Sequence, residues 1–307
     1  MIPGPFSYHR PATVADAVKL LSTLGEEARP LAGGHSLVPM MKLRLATPEH
    51  LVDLHGIAGL KGIRRDGSKI VIGAMTTQHE LLASDEIAKT LPILHETAAL
   101  IADPQVRYMG TIGGNVANGD PGNDMPALMM TLGASYRLEG SGGAREVAAT
   151  EFYQGAYFTA LEPGEILTAV SIPAPVAGHG YAYEKLKRKV GDYATAAAAV
   201  MLTMSGGKVA SCAIGLTNLH ETPLLATDAA PRSSHLLPQQ QQGAASLGGH
   251  GDHHANSAAA ARGPLHDGGH LHEQRGVGAL HALQRCLAPR AHQPDGGRAH
   301  VAGACSA

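Results

Sequence analysis

Two short segments carry residue types that could handle a polyanion. Ala32-Gly33-Gly34-His35-Ser36-Leu37 and Thr111-Ile112-Gly113-Gly114-Asn115 each set a glycine pair beside a hydroxyl. A pyrophosphate brings negative charge and many acceptor oxygens, and a formal net charge of -2 offers it no general electrostatic attraction. Backbone N–H groups must then do the binding, and glycine lets the main chain turn sharply and come close to a ligand. Ser36 and Thr111 add hydroxyl donors, and the Asn115 amide can pin the loop or a phosphate. One Gly-Gly pair is ordinarily just a turn. Two such pairs, each with a hydroxyl, point to a divided binding site.

Other phosphate and catalytic solutions are missing. No G-x-G-x-x-G follows a strand, and no G-x-x-x-x-G-K-[ST] occurs. His79-Glu80, His95-Glu96, His220-Glu221 and His272-Glu273 each begin an H-E pair without the second histidine of a zinc-protease helix. No G-x-S-x-G marks a nucleophile elbow. The chain presents no catalytic constellation of its own and no expected metal ligands outside its tail.

The elements that must hold the loops follow from periodicity. Val14, Ala17, Val18, Leu21 and Leu24 recur at helical spacing behind a Thr13 cap, predicting a helix over 12–25. A strand at 28–32 empties into the first loop. Leu51–Leu54 and Lys69–Ala74 read as strands of a small mixed sheet, and Asp66-Gly67 predicts a hairpin. Between Thr77 and Ile101 the apolar pattern predicts two helices broken at Pro92. The glycine-dense stretch 110–122 leads to a compact apolar run at 126–132, then a strand at 135–138 turned by Gly140-Ser141-Gly142-Gly143. Pro173-Ala174-Pro175-Val176-Ala177-Gly178 resists regular structure and is placed as a domain junction. Beyond it, 181–186, 196–204 and 209–216 read as strands or a buried alanine-rich helix, with a hairpin at Gly206-Gly207.

Composition sets the outer bounds. With 307 residues the chain is long enough for two domains. A pI near 6.8 gives no reason to expect nucleic acid or an anionic membrane as partner. No apolar run spans a membrane; Ala194–Met204 is too short. The first residues lack the basic-then-apolar pattern of a secretory signal, so a cytoplasmic location is expected. Cys212, Cys286 and Cys305 form no C-x-x-C pair, which places any iron–sulfur chemistry in another chain.

The last 77 residues, from Pro231, hold ten of the 18 histidines and no Lys, Ile, Phe, Tyr, Met or Thr. Such a mixture cannot form a core and predicts disorder. His250, His253, His254, His266, His270 and His272 could share a cation. The favoured explanation is a G+C-rich coding sequence read in a shifted frame near residue 230.

The stretch Phe6-Ser7-Tyr8-His9-Arg10-Pro11, the run from Leu31 to Arg44 and the second loop, in that order, resemble the FAD-binding subunits and domains of the xanthine dehydrogenase family. Within it the resemblance is strongest to the medium-subunit branch of aerobic, molybdenum-containing carbon monoxide dehydrogenases and covers roughly 1–229. It implies an α/β (α+β) fold: a two-lobed FAD-binding domain of the vanillyl-alcohol-oxidase/PCMH type over 1–177, then a smaller α+β domain starting over 178–230, with 231–307 as the atypical tail. It implies that both loops hold the FAD pyrophosphate and that Asp124 meets the sugar-like chain of the cofactor. By the same resemblance Ile101, with the adjoining Ala102, covers one flavin face, Leu167 and Lys185 contact FAD, and Tyr193 lies near the other face. Plainer readings stand beside these: Ile101 as core, Asp124 as a helix cap, Lys185 as a solvated charge with Lys187, Arg188 and Lys189, Tyr193 as packing, and His35 as a turn residue without acid–base work. Asn118-Gly119-Asp120-Pro121 and Ile101 depart from the xanthine-oxidising relatives.

The implied function is electron relay. FAD takes electrons from a small 2Fe-2S subunit, which draws them from a large molybdopterin subunit oxidising CO with water to CO2, and passes them to an external acceptor. The expected assembly is a dimer of heterotrimers, cytoplasmic and peripheral to the inner membrane face through the complex. Two rivals are a self-contained FAD-dependent reductase or oxidase, and a non-catalytic scaffold whose histidine tail binds metal.

Overall fold

A computed structural model describes residues 2–206 and 208–226; the tail from 227 onward, with its expected disorder, frame shift and histidine cluster, lies outside the described residues. The first strand, β1 (Ser7–His9), leads to α1 (Val14–Leu24), whose Thr13 side chain accepts from the Asp16 N–H at 3.1 Å as the cap. Next come β2 (Ala28–Leu31), the first glycine loop, α2 (Leu37–Lys42) and β3 (His50–Asp53). These strands make a parallel sheet in the order β1-β3-β2. Ala17, Val18 and Leu21 of α1 bury against Val52, Leu54 and Ile57 in a small core.

Two 3₁₀ turns, Leu54–Gly56 and Ala58–Leu60, redirect the chain into a second sheet. This corrects the expectation of one mixed sheet, since β3 and the next strands never pair. The expected hairpin joins β4 (Ile63–Asp66) to β5 (Lys69–Gly73), with Gly67 at φ 57. Three helices follow rather than two: α3 (Gln78–Ala83), α4 (Asp85–Thr90) and α5 (Pro92–Leu100). Pro92 opens α5 as expected, where its missing N–H costs nothing. The additional break is local chemistry, because the Ser84 hydroxyl accepts from the Ile87 N–H at 3.3 Å and starts a new helix.

After α6 (Pro104–Met109), α7 (Ile112–Ala117) and α8 (Asp124–Thr131) come the hairpin β6 (Ser135–Gly140) and β7 (Gly143–Ala148), the short α9 (Ala149–Phe152), the small ladder β8 (Tyr153–Gly155) and β9 (Phe158–Thr159), and β10 (Ile166–Pro173). The second sheet is antiparallel in the order β4-β5-β10-β6-β7. Its inner face packs on α8, every residue of which is buried.

A third, antiparallel sheet holds β11 (Gly180–Leu186), β12 (Ala196–Ser205), β13 (Lys208–Thr217) and β14 (Leu224–Leu225) in chain order. The alanine-rich 196–200 is therefore strand: it is paired on both sides, and small side chains suit a sheet pressed against a helix. At Gly215 a Cβ would fall 2.1 Å from the Thr131 hydroxyl oxygen and 2.4 Å from the Ala127 carbonyl oxygen, showing how closely β13 lies on α8.

Candidate functional site

The first loop leaves β2 and runs into α2; the second segment is not a free loop but the start of a helix, with Thr111 capping α7 and Ile112 to Asn115 forming its first turn. They face each other. At Gly33 a Cβ would sit 2.4 Å from the Met109 carbonyl oxygen, and at Gly114 it would sit 3.4 Å from the Ala32 Cβ. Gly34 holds φ 75, a left-handed conformation that side chains resist.

Between the lobes and the third sheet lies a cavity of about 600 Å³, within the size range of cofactor sites. Ala32, Gly33, Gly34, His35, Ser36 and Leu37 line it from the first loop, and Thr111, Gly113, Gly114 and Asn115 from the second. Ile101, Ala102, Asp124, Leu167, Lys185 and Tyr193 line it as well. Of the predicted residues only Ile112 does not; its side chain is fully buried in the main core.

The loops spend their backbone differently. Among the described residues, the N–H groups of Gly33, Gly34, His35 and Ser36 meet no acceptor. In the second loop Ile112 donates to the Thr76 carbonyl at 2.9 Å, Gly113 to the Ala74 carbonyl at 2.9 Å, Gly114 to the Thr111 hydroxyl at 3.0 Å and Asn115 to the Thr111 carbonyl at 3.1 Å. Thr111 keeps its hydroxyl proton free to donate, because its oxygen acts as acceptor in the cap. The Asn115 Oδ1 receives the Met125 N–H at 3.3 Å, which leaves the amide nitrogen to face a ligand.

Cations give an anion little help here. Arg29 turns its Nη1 to the carbonyls of Glu26 and Ala28, at 2.8 and 2.9 Å. Lys185 is buried, its side chain only 1% exposed, and donates to Asp124 Oδ2 at 2.8 Å. That burial removes the reading of Lys185 as a solvated charge. Tyr183 completes the group by donating to Asp124 Oδ1 at 2.6 Å. Asp124 is no helix cap: it is the first residue of α8, and its carboxylate is held by side chains from β11. Burial pushes the Asp124 carboxyl above its ordinary value, with Lys185 and Tyr183 pulling the other way.

Ile101 ends α5 at 7% exposure, both part of the main core and on the cavity wall. Ala102 beside it adopts φ 44, and the Arg107 guanidinium holds this strained turn by donating to the Ile101 carbonyl at 2.9 Å. Tyr193 stands at the rim, 56% exposed, against Gly122, where a Cβ would lie 3.5 Å from its ring. Burial and the nearby Asp120 raise the Tyr193 phenol, with the Ser36 side chain opposing.

Among the cavity residues outside the predicted set, two carry buried amide atoms without a partner. Gln78 is 1% exposed with neither amide atom hydrogen-bonded, and the buried Nδ2 of Asn118 likewise lacks a partner. The sequence around Gln78 reads as a capping box, Thr77 with Glu80, which accounts for its neighbours and hides its own role.

Residues 4–175 match the family model described as the FAD binding domain in molybdopterin dehydrogenase. The chain belongs to this family. Residues 181–232 match the CO dehydrogenase flavoprotein C-terminal domain. The carbon monoxide dehydrogenase medium chain of Afipia carboxidovorans is 71% identical over 229 residues, 75% of this chain and 80% of the relative. That of Hydrogenophaga pseudoflava is 53% identical over 224 residues, 73% of this chain and 78% of the relative. Among solved structures, the cyanide-inactivated Cu,Mo-CO dehydrogenase superposes with a TM-score of 0.80 at 57% identity, covering 94% of this chain and 99% of the other. The Hydrogenophaga pseudoflava enzyme lacking the Mo-pyranopterin moiety gives 0.83 at 45% identity, with the same coverage.

The family's cofactor suits these residues. Free N–H donors in a glycine cradle answer a pyrophosphate, and partnerless buried amides at the cavity wall answer a polar ligand.

Proposed function

We propose that the chain is the FAD-binding, electron-relaying medium subunit of a molybdenum hydroxylase that oxidises CO with water to CO2. One observation carries the site: the unpaired N–H groups of Gly33 to Ser36 open into a cavity that the second loop closes. FAD binds here and supplies the redox chemistry, accepting electrons and passing them to an external acceptor.

The first loop, Ala32 to Leu37, receives the pyrophosphate on its backbone, and Thr111 and Asn115 add side-chain donors from the opposite lobe. Ile112, Gly113 and Gly114 hold that lobe in place. Asp124, kept in position by Lys185 and Tyr183, accepts hydrogen bonds from the hydroxylated chain of the cofactor. Ile101, Ala102 and Leu167 present an apolar wall that excludes water from one side of the flavin, and Tyr193 covers the exposed side. Residues 1–177 serve as the FAD-binding domain, and 178–230 open the C-terminal domain.

The chain is one part of a multi-subunit complex. Its cysteines offer no cluster motif, so the electrons arrive from a 2Fe-2S subunit that connects this chain to a molybdopterin subunit, in a dimer of heterotrimers. No helix among the described residues is long and apolar enough to cross a membrane. The complex works in the cytoplasm, against the inner membrane face.

The test is purification of the chain with its iron–sulfur and molybdenum partners, followed by an absorbance spectrum and chromatography of heat-released flavin. Stoichiometric FAD is expected. An intact complex without flavin would overturn the assignment. Flavin turnover by the isolated chain on a small substrate would favour a self-contained reductase or oxidase instead.

A further inference from the structure

Gln78 sits one residue inside the capping box of α3, and every part of its surroundings is tied down. Thr77 exchanges hydrogen bonds with Glu80, at 3.1 and 2.7 Å, and forms an isolated bridge with Thr111 of the second loop. The Gln78 N–H donates to the Gly110 carbonyl at 2.9 Å. These bonds fix the backbone and account for Thr77 and Glu80. They give no reason for a glutamine at 78, since an apolar side chain would begin the helix as well and would not bury polar atoms.

The side chain nonetheless places Nε2 and Oε1 in the protein with no hydrogen-bond partner, on the wall of the cavity between the loops. Buried amides in folded proteins are nearly always paired, and a pair of orphans on a cavity wall marks a place for a ligand group or an ordered water. Their chemistry narrows the choice. Nε2 donates and Oε1 accepts, so the complement must both accept and donate. A phosphate oxygen only accepts and would leave Oε1 unpaired. Hydroxyls and the donor–acceptor edges of the flavin and adenine rings do both.

We infer that Gln78 is a further FAD-holding residue, binding a part of the cofactor that both donates and accepts, a hydroxyl or a ring edge, rather than its phosphates. This rests on the FAD reading of the cavity. Without flavin the orphan amide weakens the fold; with flavin it orients the cofactor behind the second loop.

The test compares wild type with Gln78→Met, Gln78→Ala and Gln78→Glu in the full chain within its complex, stripped of flavin and reloaded. FAD affinity is read by flavin fluorescence and melting temperature is read with and without FAD. Gln78→Met should raise the melting temperature of the flavin-free protein yet weaken FAD binding about tenfold, the scale of one good polar contact. Gln78→Ala, which cannot crowd the site, should weaken binding similarly. Gln78→Glu can still accept from a hydroxyl or ring N–H and should bind FAD at least as well as Gln78→Met; weaker binding in the glutamate variant than in Gln78→Met would mean a phosphate neighbour and overturn the inference. Unchanged FAD affinity in both Gln78→Met and Gln78→Ala would overturn the inference while leaving the cofactor reading intact. Failure of wild type to take up FAD would instead remove both.

Discussion

The two glycine loops look alike in sequence and behave oppositely in the fold. The second, capped by Thr111, commits the N–H groups of Ile112 to Asn115 to acceptors in the protein, and Gly113 is there because a Cβ would meet the Ala74 Cβ and carbonyl oxygen, both at 2.6 Å. The first, Gly33 to Ser36, leaves its donors free and opens them into the cavity. A Gly-Gly pair thus serves packing in both lobes, Gly33 lying against the Met109 carbonyl as Gly113 does against Ala74, and only the first pair also leaves donors for recognition. That depends on whether other backbone already occupies the donors.

The comparison can be broken most forcefully on the self-satisfied side. Lys185→Met leaves Asp124 as an uncompensated buried charge, and should destabilise the flavin-free chain by about 3–5 kcal/mol in urea unfolding. An effect below 1 kcal/mol would show that Asp124 simply takes up a proton, in keeping with its raised carboxyl. Gly113→Val should cost about 3 kcal/mol through overpacking against Ala74, visible before any flavin is added. If its stability matched wild type, the second loop would not be packed in this way.

On the recognition side the balance should reverse. Gly34→Ala must hold φ 75 with a side chain, at a cost of about 1–2 kcal/mol in stability, but its larger signature should be a fall in FAD occupancy. Ser36→Ala should leave the melting temperature of the flavin-free chain almost unchanged and weaken FAD binding about fivefold, as expected for one lost hydrogen bond of about 1 kcal/mol. A drop in flavin-free stability with no change in binding would assign Ser36 a structural role.

The smallest effect lies in the first lobe at Asp53, which pairs with Leu31 at the foot of the first loop but does not line the cavity. Burial alone would raise the Asp53 carboxyl. Hydrogen bonds from the Tyr8 hydroxyl and from the backbone and ring of His55 outweigh it and hold the group below its ordinary 3.8. A depressed folded-state value means that this contribution is present above pH about 4 and is lost as pH falls through the folded value. Asp53→Asn should therefore flatten the acid limb of a melting-temperature profile without altering FAD affinity at neutral pH.

Much of the fold was legible in the residues because the relevant chemistry is local. Thr13 caps α1, Asp66-Gly67 turns a hairpin, Pro92 opens a helix, and Gly140 to Gly143 turns another hairpin, each through atoms a few residues apart. The pattern was less informative where one hydroxyl outvoted apolar periodicity, as Ser84 did, or where pairing decided the outcome. Ala196 to Ala199 could be helix or strand until β11 and β13 flank it. At the site, the glycines and hydroxyls were readable, while Gln78 was masked by an ordinary helix start.

What the amino-acid sequence determined by itself was the set of turns and caps, the two hydroxyl-bearing glycine loops in their order, and the family to which they belong, since these rest on short-range sterics and on residue identity. Only the tertiary structure decided which loop keeps its N–H groups free, that Lys185 is buried against Asp124 and Tyr183, and that the Gln78 amide is stranded at the cavity wall. Those outcomes depend on partners up to 61 residues away in the chain, and a hydrogen bond is satisfied or left open only when the distant groups have been brought together.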